Sequence, residues 1–126
     1  MIKAIFKERL DRPAAGLQIH RRHTQKRLVG FEVSGHAGYA DSGEDIVCAA
    51  VTSAVQFSAN AITDVVSANA EVIVDENLVG LILSDDSADE RTQYGAQAIL
   101  EALYLHLKDL SEQYRGTIRI TVMEEK

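Results

Sequence analysis

Arg27-Leu-Val-Gly-Phe-Glu-Val-Ser-Gly35 decides how this chain folds. Val29, Phe31 and Val33 fall on one side at a period of two. Leu28, Gly30 and Glu32 fall on the other. That alternation is a strand with one apolar face to bury. Upstream, Ile2, Ala4 and Phe6 alternate with Lys3, Ile5 and Lys7, which predicts a first strand. The two strands are expected to form a long hairpin. Between them, Asp11-Arg-Pro-Ala-Ala-Gly16 holds the only proline and reads as a turn or loop, and Leu17 to Ile19 extends a strand into an exposed arm.

Downstream, Ala37-Gly-Tyr-Ala-Asp-Ser-Gly-Glu44 is a loop of small residues with two glycines. A long helix is expected from about Asp45 to Ala68, with Val47, Val51, Ala54, Val55, Ser58, Ile62 and Val65 near one stripe. Glu71 to Asp75 and Leu78 to Ser84 read as strands joined around Glu76-Asn77. Ser84-Asp-Asp-Ser87 offers caps for a second helix reaching about Leu110. Ala96, Ile99, Leu100, Leu103, Leu107 and Leu110 mark its buried side. After Gly116, Thr117 to Met123 reads as a last strand with Ile118, Ile120 and Val122 on one face. The expected fold is a single α+β domain over 1–126, in the order β-β-α-β-β-α-β. Its two helices pack on one face of a mostly antiparallel sheet.

Composition agrees with one domain. The chain has 126 residues and 13.8 kDa, 46% hydrophobic and 25% charged. A chain of this length buries roughly two-thirds of its unfolded surface, enough for a core. It contains no run of 18 apolar residues, and Met1-Ile-Lys-Ala-Ile-Phe-Lys-Glu8 does not have the plan of a signal peptide. One cysteine, Cys48, excludes an internal disulfide and a cysteine-rich zinc site. A reducing, cytoplasmic compartment is the expected location, with no membrane and no specific DNA as partner.

The net charge of −6 is unevenly spread. From Lys7 to Arg27 there are seven basic and two acidic residues, a net of +5, which leaves −11 for the remainder. The acidic body favours basic partners. The basic arm at about 7–27 is able to contact RNA, but no RNA-binding signature accompanies it, and a solvated hairpin arm is the plainer reading. His20-Arg-Arg-His23 within it is not a metal site, because the arginines repel cations. His106 is expected at the surface of the second helix.

The chemistry lies in Gly35-His-Ala-Gly-Tyr-Ala-Asp-Ser-Gly-Glu-Asp-Ile-Val-Cys48. It sets His36 at a strand end and Cys48 in the first turn of a helix. A thiol attacks as its thiolate, which a helix N-terminus stabilises and an adjacent imidazole generates. Asp45, three residues before Cys48, can cap the helix or orient His36. Ser42 is an alternative cap, with Asp45 at the third position of a capping box. The backbone N–H groups of Cys48 and its neighbours are natural oxyanion donors. Gly38 and Gly43 allow a chain reversal, and with it a lid. On spacing alone, a cysteine before Ala-Ala-Val is most often a buried small hydrophobe.

Gly35-His36-Ala37 followed by Gly43-x-Asp45-Ile46-Val47-Cys48-Ala49-Ala50 resembles the signature of the ribosomal-processing cysteine protease family, Prp. The resemblance extends over nearly the whole chain, including the ending Tyr114-Arg-Gly-Thr-Ile-Arg-Ile120. It implies an endopeptidase that removes a short N-terminal extension from large-subunit ribosomal protein twenty-seven. It also implies His36 as base, Cys48 as nucleophile and Asp45 as a supporting residue. Ala37, Gly38, Tyr39, Ala40, Asp41, Ser42, Gly43 and Glu44 would form a mobile loop shielding the site. Members of the family are typically homodimers and need no cofactor or metal. The arm at 7–27 looks longer than the family's, and the resemblance gives no reason for Tyr39 or Ala40. A non-catalytic ribosome-associated binding module with Cys48 in its core is the alternative from another class. A different cysteine hydrolase or transferase on the same pair is a third reading.

Overall fold

The structure is a computed structural model that describes residues 1–11, 25–35, 42–84 and 89–125. The expected turn at 11–16 beyond Asp11, the extension at 17–19, and His20 and His23 lie outside the described residues, as do His36 and the loop positions 37–41. Strands β1 (Ile2–Asp11) and β2 (Gln25–Ser34) form the expected antiparallel hairpin. Helix α1 (Ser42–Asn60) runs into a π turn at Ala61–Val65. Strands β3 (Ala70–Val74) and β4 (Leu78–Leu83) form the second hairpin, followed by helix α2 (Glu90–Gln113) and strand β5 (Ile118–Glu124).

The sheet order is β3-β4-β2-β1-β5, antiparallel throughout except that β1 and β5 run parallel. A parallel neighbour needs a long crossover, and α2 lies in it between β4 and β5. One face of the sheet carries Ile2, Ala4 and Phe6 of β1, Phe31 and Val33 of β2, Leu81 of β4 and Ile118 of β5, all buried in one cluster. The core is closed by Val47, Val51, Val55 and Ile62 from the α1 segment and by Ala96, Leu100, Leu103, Leu107 and Leu110 from α2. These α2 positions step by four and three, the spacing of one helical face. Phe6 sits between Phe31, with ring centroids 6.3 Å apart, and Tyr104, met edge-on at 5.3 Å.

Four expectations are corrected. Helix α1 begins at Ser42, not near Asp45, so Ser42, Gly43 and Glu44 belong to its first turn and not to a loop. It does not run regularly to Ala68. The π turn changes the bonding step from four residues to five, so the stripe loses phase and Val65 is 80% exposed while Ile62 is sealed. The cap of α2 is Asp89, whose carboxylate accepts the Thr92 N–H at 2.7 Å, and not a residue of the 84–87 run. Val122 shares a face with Ile118 but is exposed, on a strand at the edge of the sheet.

The segment Ile46–Val65 is long and apolar enough to cross a membrane by length and composition alone. Its Val47, Val51, Val55 and Ile62 side chains are built into the core, which is the behaviour of a core helix.

The base of the basic arm is paired within the fold. Lys7 bonds Glu32 at 2.9 Å, Lys26 approaches Glu8 at 3.7 Å and Arg9 approaches Glu125 at 3.9 Å. Three of the seven cations thus face carboxylates across the sheet, which favours a solvated hairpin base over a nucleic-acid surface.

Candidate active site

Gly35 directly follows β2, and its φ of +88° lies where a side chain is strained. A Cβ there would stand 2.5 Å from the Met1 carbonyl oxygen. Only glycine fits at this position, one residue before His36 in the sequence. The Gly35 N–H donates to the Asn77 carbonyl at 3.2 Å, so the end of β2 is tied to the β3–β4 turn.

Across from this strand end lies α1, with Cys48 on it. Cys48 is half-buried, packs at the margin of the core and lines a cavity of about 190 Å³. Val51 and Val55 of α1 meet Ile2, Val33 and Val79 of the sheet to form an apolar floor. Thr52 and Gln56 of α1 stand on one wall and Asp75, Glu76 and Asn77 of the turn on the other. The cysteine is therefore neither sealed in the core nor fully in water. It opens on a cleft with a greasy base and polar lips.

The helix start alters the chemistry read from sequence. Cys48 is the seventh residue of α1, in its second turn and not its first. A helix terminus influences charge mainly within its first turn, so the dipole supports a Cys48 thiolate less than a first-turn position would. An N–H at the seventh helical position donates to the carbonyl four residues back, so the Cys48 N–H is committed within the helix and is not an oxyanion donor. Asp45 lies in the first turn, one turn before Cys48 along the helix.

Asp75, Glu76, Asn77, Thr52 and Gln56 were not legible as site residues. Glu76-Asn77 carries only a turn signal, and nothing local says that the turn folds toward Cys48. That placement comes from β4 inserting between β3 and β2. His106 is exposed on α2, as expected, on the rim of a second groove between the helices.

A family model described as cysteine protease Prp matches residues 16–119. The chain belongs to the Prp family of cysteine proteases. It is 32% identical over 104 residues to the ribosomal processing cysteine protease Prp of Bacillus subtilis, spanning 80% of this chain and 91% of that one. It is 32% identical over 88 residues to the protein of the same description in Staphylococcus aureus, spanning 70% and 80% respectively. Among solved structures, a Streptococcus mutans protein superposes with a TM-score of 0.74 at 26% identity, covering 99% of this chain and 96% of that one. The S. aureus Prp protease in complex with a substrate peptide superposes at 0.72 and 21% identity, covering 98% and 100%. The Prp fold, a mostly antiparallel five-stranded sheet with two helices, is thus the fold of this chain.

Proposed function

We propose that this chain is an endopeptidase that removes the N-terminal extension of large-subunit ribosomal protein twenty-seven, with Cys48 as nucleophile and His36 as base. The observation that carries the reading is the half-buried Cys48 opening on a cleft that begins where β2 delivers the chain to His36. The relatives at 32% identity, described as ribosomal processing cysteine proteases, support the same substrate class.

In the proposed reaction, the Cys48 thiol gives its proton to His36 and the sulfur attacks the scissile carbonyl carbon. The tetrahedral intermediate collapses as the C–N bond breaks, and the imidazolium returns the proton to the leaving amine. Water, deprotonated by His36, then attacks the thioester and frees the carboxylate and the thiol. Asp45 supports the pair by orienting His36 or by holding the helix start. The apolar floor fits a bulky side chain of the extension, since a cavity near 150 Å³ takes a benzene ring. The acidic body suits the basic ribosomal protein behind the cleaved bond. The family resemblance adds a homodimer, and the single cysteine suits a reducing, cytoplasmic compartment.

The test is incubation of the folded enzyme with the extended ribosomal protein, followed by mass spectrometry. The wild type is expected to release the extension, and Cys48→Ala and His36→Ala to leave it in place. Wild type that leaves it uncut, or Cys48→Ala that still cuts, overturns the assignment.

A further inference from the structure

We infer that two copies of this chain meet on the outward face of α1, with Phe57 of each copy seated in the groove between the helices of the other. The inference rests on the surface of the helix layer and is independent of the protease reading.

The two helices differ where they leave the core. The solvent side of α2 carries Glu101, Lys108, Asp109 and Glu112, as a helix facing water should. From Ile46 to Thr63, α1 and the start of the π turn carry no charged residue, in a chain that is 25% charged. The core does not account for this, since only 33% of that stretch is buried. Ile46, Ala50, Ser53 and Phe57 step by four, three and four, so they share a face, and Ile46 and Phe57 are 59% and 75% exposed. Along this face runs a groove of about 510 Å³, with Ala50, Ser53 and Ala54 of α1 on one side and Ile99, Ala102 and His106 of α2 on the other. A cavity of about 150 Å³ takes a benzene ring, so the groove has room for a phenylalanine. Phe57 itself stands among the groove's lining residues. A projecting ring beside a hollow that fits it suits an isologous contact, because a two-fold axis sets each ring over the other copy's hollow.

Charge selects the occupant. The described lining of the groove holds no carboxylate, lysine or arginine, so a basic partner finds nothing to pair with. An anionic membrane surface would meet a body of net charge −6 and a helix without the lysine or arginine that interfacial helices carry. Two bodies of like charge approach most readily on a face without carboxylates, and this face is one. Its extent is adequate. The 19 residues of α1 run for about 28 Å and two packed helices span about 20 Å, close to the roughly 600 Å² per partner at which stable interfaces begin. The groove shares no described lining residue with the cleft at Cys48, so pairing leaves that cleft open.

Sedimentation equilibrium of the full chain across the micromolar range tests the inference. Wild type should show twice the 13.8 kDa of one chain. Phe57→Ala should weaken association by about thirtyfold or more, the scale of losing a buried aromatic anchor. Phe57→Glu, which sets a carboxylate from each copy against the other's hollow, should be monomeric with unchanged circular dichroism. Val74→Glu places the same charge on the edge strand β3, at a side chain 74% exposed, and should remain a dimer. A monomeric wild type overturns the inference, and its binding to phosphatidylcholine vesicles would then assign the face to a membrane. A dimeric Phe57→Glu overturns it as well, and so does a monomeric Val74→Glu, which would move the contact to the sheet edge. The readout is mass and not cleavage, so the inference and the protease reading fail separately.

Discussion

The side-chain amide of Gln97 on α2 grips both backbone groups of Leu28 on β2. The Leu28 N–H donates to Oε1 at 2.7 Å, and Nε2 donates to the Leu28 carbonyl at 3.1 Å. The register explains the need. The pairing of β1 with β2 slips between Lys7 and Glu8, so Val29 is the extra residue of a β-bulge. On the other side β4 pairs only as far as Gly30. Leu28 is thereby left without a strand partner on that edge, and Gln97 takes the strand's place.

Gln97→Leu keeps the volume and leaves a half-buried donor and acceptor unpaired. The expected loss is about 1–3 kcal/mol in urea unfolding, and Gln97→Glu, which keeps the acceptor alone, should lose less. A Gln97→Leu protein as stable as wild type would show that water serves Leu28 equally well.

Asp89 gives a pH-dependent signature. The Thr92 backbone N–H, then the Thr92 hydroxyl, with Arg91 nearby, holds its carboxyl below the ordinary value near 3.8. A carboxyl lowered by folding stabilises the fold above its unfolded value, and that contribution disappears as pH falls through the folded value. Asp89→Ala should therefore melt below wild type at neutral pH, and the gap should begin to narrow as the pH drops beneath 3.8 and close below the lowered folded value. Because the group is fully exposed, added salt should trim its charged component. A gap that is constant with pH would assign the cap to shape alone.

Much of the fold was legible because its strands have one buried face. Phe31 and Val33 alternate with Gly30 and Glu32 and are buried in the core, whereas the bulge puts Val29 out of phase and brings Leu28 against the core instead. The α2 stripe was equally legible, since Ala96, Leu100, Leu103 and Leu107 hold their helical phase for three turns. Legibility failed where periodicity gives no signal. A π turn is a change of hydrogen-bonding step that composition does not announce, so Val65 read as core. Of the site, the sequence singled out Cys48, which does open on a cavity, but the cavity lining was not legible. Thr52 and Gln56 look like the polar side of a helix, and Asp75 to Asn77 like a turn, until the sheet order brings them together.

The π turn can be tested with two neighbouring residues. Ile62→Ala should cost about 2–5 kcal/mol, the usual loss for a buried aliphatic side chain. Val65→Ala, only three residues on, should change stability by less than about 0.5 kcal/mol. A regular helix through this segment would place both side chains on the core face and make both substitutions costly. Comparable losses in chemical denaturation would therefore contradict the phase change at Ala61–Val65.

The cleft also makes a prediction about thiol access. The chain has one cysteine, so the mass gain after iodoacetamide treatment reports on Cys48 alone. A half-buried sulfur lining an open cavity should be alkylated in the native protein at neutral pH, without denaturant. Since Cys48 stands in the second turn of α1, the helix end contributes little to its reactivity, and the burden falls on a base. His36→Ala should therefore slow alkylation of the folded protein, and should lower proteolysis by about a hundredfold or more. The extended ribosomal peptide, occupying the same cleft, should protect the thiol in competition with the reagent. Equal alkylation rates for wild type and His36→Ala would show that the imidazole does not activate this sulfur. Alkylation seen only in urea would return Cys48 to the core and leave the cleft without a nucleophile.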